Sequence, residues 1–160
     1  MTTAATTSQS PISVPSQALG AIEVRPESVI TMAEPLAGFP DTSQYALIEH
    51  TREGGAAAGS VFWLQAVERP FHAFVVTDPW GVHPEYAPEI SDADAQQLGL
   101  TNFEDARVFG ILTVPRNPSE ITINLRAPVV VNVAQRLAKQ VVVLNDQYST
   151  RHPMNRPSER

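Results

Sequence analysis

Eight short apolar runs, rich in β-branched and aromatic residues and cut off by turn-prone breaks, limit the fold of this chain more than any other feature. They are 28–33 (SVITMA), 45–49 (YALIE), 61–67 (VFWLQAV), 73–77 (AFVVT), 107–114 (RVFGILTV), 120–125 (EITINL), 129–133 (VVVNV) and 140–144 (QVVVL). Runs of this length and composition read as strands. The segment 36–40 (LAGFP) is a turn between the first two runs, and 68–70 (ERP) links the third to the fourth. Between 107–114 and 120–125 stands RNPS at 116–119, whose proline and asparagine suit a tight connection, so these two runs are expected to form a hairpin. In its second strand Ile121, Ile123 and Leu125 alternate with Thr122 and Asn124, one face inward and one wet. The runs at 129–131 and 141–144 do not alternate and are expected to be covered on both faces.

Only one helix is signalled. Ser91 is a good N-cap, Asp92 and Asp94 place negative charge in the first turn, and Gly99 follows Leu98 as a stop. A helix of about seven residues does not stand alone, so Leu98 and Leu100 must pin it to the sheet. Many short strands, regular turns and one small helix predict a mostly β fold: a small antiparallel β-barrel, closed or nearly so. Closure also hides the edges of strands this apolar.

Residues 1–17 (MTTAATTSQSPISVPSQ) are Thr-, Ser- and Pro-rich. They bury too little apolar surface to offset an ordering cost of ~1–2 kcal/mol per residue, so they are read as a disordered tail. Residues 150–160 are read as a flexible C-terminal tail, which leaves 18–149 as a single barrel domain. The stretch 50–60, with GGAAAG inside it, is expected to be an exposed, floppy loop. There is no cysteine, which removes thiolate metal sites and cysteine nucleophiles. No apolar run approaches the ~18 residues of a membrane span, and the first fifteen residues lack the pattern of a secretory signal; a cytoplasmic protein is expected.

The four histidines, His50, His72, His83 and His152, show no H-x-H, H-E-x-x-H or i, i+4 spacing, and the loop-or-strand reading of each outweighs a metal site. No G-x-S-x-G elbow and no glycine-rich phosphate loop is present. No catalytic residue, metal or cofactor is assigned. Charge geography is more telling. Between Asp78 and Asp105 there are seven acids and no Lys or Arg, whereas from Arg107 onward there are eight bases and three acids. A formal net charge of −6 argues against coating nucleic acid by charge. The acidic stretch also holds Trp80 and Tyr86 in a loop stiffened by Pro79, Pro84 and Pro88. Aromatic anchors in an acidic field suit a surface for a basic protein, with Asp78, Glu85, Glu89, Asp92 and Asp94 supplying charge and Trp80 and Tyr86 contact area. The competing reading is a solvated acidic loop whose two rings cap the barrel.

L-A-G-F-P at 36–40, F-W-L-Q-A-V at 62–67, F-V-V-T-D-P at 74–79, Y-A-P-E at 86–89 and the run N-L-R-A-P-V-V-V-N at 124–132 stand in an order that resembles the flagellar assembly factor FliW family, over about 29–154. The resemblance implies a small β-barrel of the bacterial cytoplasm without enzymatic activity. It implies as partners the C-terminal region of flagellin and the dimeric translational regulator CsrA. The two partners compete, so that flagellin synthesis is coupled to export; no direct nucleic-acid contact and no membrane contact are implied. An apolar groove on the barrel is expected to receive flagellin, at a place the sequence does not locate. Two segments, 50–60 and the residues before Gln17, are longer than is usual in the family, and Ala37 replaces a common proline. A small metal-dependent or ligand-binding β-barrel is the alternative class.

Overall fold

A computed structural model describes residues 10–51 and 57–154; the side chains of 50, 51, 57–60 and 118 are outside the description. Among the described residues eleven strands are seen: β1 Ile12–Ser16, β2 Gly20–Val24, β3 Val29–Met32, β4 Gln44–Thr51, β5 Ala57–Ala66, β6 Ala73–Thr77, β7 Ala106–Thr113, β8 Thr122–Ile123, β9 Val129–Asn132, β10 Leu137–Gln140 and β11 His152–Pro153. One α-helix, α1, spans Asp92–Leu98. Neighbouring strands run in the order β7-β6-β5-β4-β3-β10-β9, and β9 pairs again with β7, which closes a seven-stranded barrel. All of these pairings are antiparallel except β3–β10. The predicted mostly β barrel with one helix is what the chain forms.

Three apolar clusters make the core. Inside the barrel, Tyr45, Leu64, Val76, Phe109, Val129 and Val131 interdigitate. Outside the wall made by β7, β9 and β10, a second cluster gathers Tyr86, Leu98, Val108, Ile123, Val130, Val141 and Tyr148. A third lies beneath the β1–β2 ribbon, where Val14 and Val24 cover Ala46. The four residues of β9 are buried on both faces because interior and outer cluster share that wall. The helix begins as its sequence dictates: Ser91 Oγ accepts from the Asp94 N–H at 3.1 Å, and Gly99 adopts φ 71°. The hairpin is β7–β8, with Leu112 opposite Ile123 and a helical turn at Pro118–Glu120.

Several expectations are corrected. The segment 12–17 is not a tail. Ile12–Ser16 pairs with Gly20–Val24, Val14 is fully buried, and Ser16 Oγ donates to the buried Gln65 Oε1 at 2.6 Å. Residues 1–9 lie outside the described residues. At the other end His152–Pro153 pairs with β8, so the chain stays in the sheet beyond Thr150. Strand β10 is Leu137–Gln140, displaced from the predicted 140–144. The following residues alternate after all: Val141 and Val143 are buried, while Val142 and Leu144 are 59% and 62% exposed. The loop predicted at 50–60 is narrowed by β4 and β5, which reach Thr51 and Ala57; residues 52–56 lie outside the described residues.

Candidate partner-binding groove

The acidic stretch leaves β6 at Asp78, whose carboxylate accepts from the Trp80 N–H at 2.9 Å and caps the turn Pro79–Gly81. Trp80 Nε1 donates to Tyr86 O at 2.7 Å, and the two rings lie 5.4 Å apart. Tyr86 is turned inward: it is 3% exposed, its hydroxyl donates to Leu125 O at 2.6 Å, and its ring meets Tyr148 edge-on at 4.7 Å. Burial pushes the Tyr86 phenol well above its ordinary range, so it remains a donor at any working pH. The Tyr148 hydroxyl accepts from the Ala87 N–H at 2.8 Å. The proline-rich segment is thereby pinned to the barrel wall at both ends of its aromatic pair. Tyr86 is a core residue and offers no contact area to a partner; its ring sits in the outer cluster because its hydroxyl satisfies a buried carbonyl there.

Asp94 is also engaged. Its carboxylate lies 2.5 Å from Lys139 Nζ, which bonds Gln97 Oε1 at 2.6 Å and reaches Glu34 at 3.6 Å. These partners hold the Lys139 ammonium above its ordinary pKa, chiefly through the Asp94 bond. Of the seven expected residues, then, Asp78, Trp80, Tyr86 and Asp94 hold the scaffold together. Glu85, Glu89 and Asp92 are exposed.

Between the pinned segment, α1 and the turn after it runs a groove of ≈ 260 Å³, lined by Pro88, Ile90, Ala95, Leu100, Thr101 and Phe103. Phe103 is 41% exposed, unusual for a residue with so much apolar surface. Glu89 stands between the lining residues Pro88 and Ile90, Asp92 follows two residues after Ile90, and Glu104 and Asp105 follow Phe103, so acids flank the apolar floor. Leu144 donates its N–H to Glu89 O at 2.7 Å, which places its exposed side chain beside the groove wall. The sequence marked the acidic stretch but not this floor. Ala95 and Phe103 are unremarkable until α1 turns one toward the segment that carries the other.

The histidines are distributed. His72 Nε2 is 2.8 Å from the Tyr45 hydroxyl and its ring stacks on Phe39 at 4.1 Å. His83 and His152 stack on each other at 5.4 Å; the His50 side chain lies outside the described residues. Among the described residues no three His, Cys, Asp or Glu side chains gather as a metal site would need. No helix among them is long and apolar enough to cross a membrane.

Comparison with known proteins agrees with this architecture. The sequence profile described as FliW protein matches residues 13–154. A flagellar assembly factor FliW from Pseudothermotoga lettingae is 36% identical over 143 residues, covering 89% of this chain and 88% of that protein. The protein of the same description from Bdellovibrio bacteriovorus is 36% identical over 135 residues, covering 84% and 74%. A crystal structure of the flagellar assembly factor FliW superposes with a TM-score of 0.81 at 29% identity, covering 91% of this chain and 99% of the other.

Proposed function

This chain belongs to the FliW family of flagellar assembly factors, and from that membership we propose that it acts by gripping two polypeptides, the C-terminal region of flagellin and the CsrA dimer, without bond-making chemistry. Its setting in this reading is the bacterial cytoplasm. Flagellin and CsrA compete for the protein, and release of flagellin by export frees it to withdraw CsrA from messenger RNA.

The observation that supports this reading best is the acid-flanked apolar groove. An amphipathic helical segment buries its apolar face in such a groove and its cationic flank meets the acids. Phe103 is the anchor on the floor, because it carries the largest exposed apolar area there. A CsrA surface that holds RNA is basic, and Glu85, Glu89 and Asp92 supply the opposing field. Asp94 does not, since Lys139 neutralises it.

Binding kinetics with a flagellin C-terminal fragment and with CsrA, at low and high salt, test this. Phe103→Ala is expected to weaken the flagellin fragment about tenfold, the usual size of a lost interface anchor. Glu89→Lys with Asp92→Lys is expected to slow CsrA association about tenfold at low salt, the difference closing at high salt. Wild-type protein that binds neither partner would sink the reading. Unchanged kinetics in both variants would move the interface elsewhere.

A further inference from the structure

All six residues that line the acid-flanked groove come from one stretch, 88–103, and none comes from a strand of the barrel. The shape of the groove therefore depends on how that stretch is fastened. Before α1, Glu89 is held through its backbone: its N–H donates to Asn145 Oδ1 at 3.1 Å, and its carbonyl accepts from the Leu144 N–H at 2.7 Å. That fixes the neighbouring lining residues Pro88 and Ile90. The other four, Ala95, Leu100, Thr101 and Phe103, lie on α1 or follow it, so their place depends on how the helix is seated.

Seven residues make too short a helix to hold itself. Leu98 anchors its end, buried in the outer cluster with its carbonyl accepting from Asn132 Nδ2 at 2.8 Å. The middle of α1 is held by Lys139 of β10. Asp94 and Gln97, three residues apart, share one face of the helix. Lys139 Nζ donates to Asp94 Oδ1 at 2.5 Å and to Gln97 Oε1 at 2.6 Å. Gln97 Nε2 in turn donates to Glu34 Oε2 at 3.1 Å, the carboxylate oxygen that Lys139 reaches at 3.6 Å. Glu34 follows β3, and beside it the Ala33 N–H donates to Ala138 O at 2.7 Å, next to Lys139. One ammonium thus ties the helix to both sides of the parallel β3–β10 seam. The Lys139 and Asp94 side chains are mostly covered, so water and salt screen the pair less than they screen a surface ion pair.

We infer that Lys139 is the positioning residue of the groove: by seating α1 on the barrel seam it fixes where Ala95 and the residues after the helix stand relative to Pro88 and Ile90, and so sets the affinity for what the groove holds. Its effect on affinity rests on the reading of the groove as the flagellin site; its effect on shape does not. Lys139 is not among the lining residues, so it acts through the helix. Charge and position give opposite expectations for its removal. Losing the ammonium uncovers Asp94 and Glu34 beside a groove already flanked by acids, which by charge alone strengthens attraction for a cationic segment. Losing the tether displaces the groove lining, which weakens binding whatever the charge.

The test uses the full chain, with calorimetric titration of a flagellin C-terminal fragment and ¹³C-methyl spectra of the free protein. Lys139→Met, and the charge-balanced pair Asp94→Asn with Lys139→Met, are each expected to bind the fragment at least fivefold more weakly, the low end of usual coupling between sites. Lys139→Arg, which keeps charge and donors, should stay within twofold of wild type. So should Val14→Ala, which weakens the separate cluster beneath the β1–β2 ribbon. In the free protein the methyl signals of Ile90 and Leu100 should move in both Lys139→Met proteins and hold their places in Lys139→Arg and Val14→Ala. Should the double variant fail to fold, Gln97→Ala decides: it changes no charge and removes the bonds to Lys139 and Glu34, with at least a twofold loss expected. Wild-type affinity in the charge-balanced variant, an equal loss in Val14→Ala, or unmoved methyl signals would each overturn the inference. If the wild-type chain binds no fragment, the flagellin reading falls, and the methyl signals alone decide whether Lys139 positions the groove.

Discussion

Gly110 sits where β8 crosses closest to β7, and a Cβ there would come within 2.5 Å of Ile123 Cδ1 and 2.6 Å of its Cγ1. Ile123 is fully buried and has no room to retreat. Gly110→Ala is therefore expected to destabilise the fold by about 1–3 kcal/mol, the usual penalty of overpacking, read as a lower urea midpoint. His72 sets a pH dependence. It is 8% exposed, and burial holds its imidazole below the ordinary histidine range. The unfolded chain takes up the proton first, so stability falls as pH drops through about 6.5 and levels off below the folded value. Urea midpoints between pH 7.5 and 5 should show this fall, and His72→Gln, which keeps a polar partner for Tyr45, should flatten it. At this scale the sequence was only partly legible. That Trp80 and Tyr86 matter was readable; that Tyr86 faces inward was not, because the carbonyl of Leu125 that receives its hydroxyl lies 39 residues away.

Helix α1 was legible because its signals are local: an N-cap at Ser91, acids in the first turn and a left-handed glycine at the end. Its attachment was not, since Lys139 comes from β10, 45 residues on. Lys139 and Asp94 have side chains only 12% and 16% exposed, so removing one leaves the other charged and poorly solvated. Lys139→Met is expected to lower stability by about 1–3 kcal/mol and to loosen α1 first, seen as faster amide exchange at Ala95–Leu98. The β1–β2 ribbon escaped the sequence reading for a compositional reason. Its first strand carries Ser13, Pro15 and Ser16 and reads like a tail, while its fully buried apolar residues are Val14 and Val24, with Ile12 and Ile22 only partly covered. The opposite error occurred at 141–144, where four apolar residues suggested a strand buried on both faces. Val142 and Leu144 face outward, and the segment is held by single bonds from Val141 to Pro128 O, Val143 to Arg126 O and Leu144 to Glu89 O.

Across the whole molecule the mostly β class was readable because strand-length runs and breaks are one-dimensional features. The seam was not, because it joins segments by register rather than by composition. Closure depends on two long-range pairings: β10 lies parallel to β3, with Leu137 opposite Thr31, and β9 meets β7, with Val131 opposite Arg107. A chain ending at Arg136 lacks the strand that bridges β3 and β9, and with it Val141, Val143 and Tyr148 of the outer cluster. Such a fragment is expected to show no cooperative urea transition, whereas the full chain does.

The parallel β3–β10 seam also sets when the protein comes into being. The strand that completes the cylinder, β10, begins more than a hundred residues after β3 ends, so a ribosome must deliver all of that chain before β3 gains its second neighbour beside β4. Until then the side of β3 that faces away from β4 stays an unpaired apolar edge, open to premature association, and the barrel closes only after β10 has emerged.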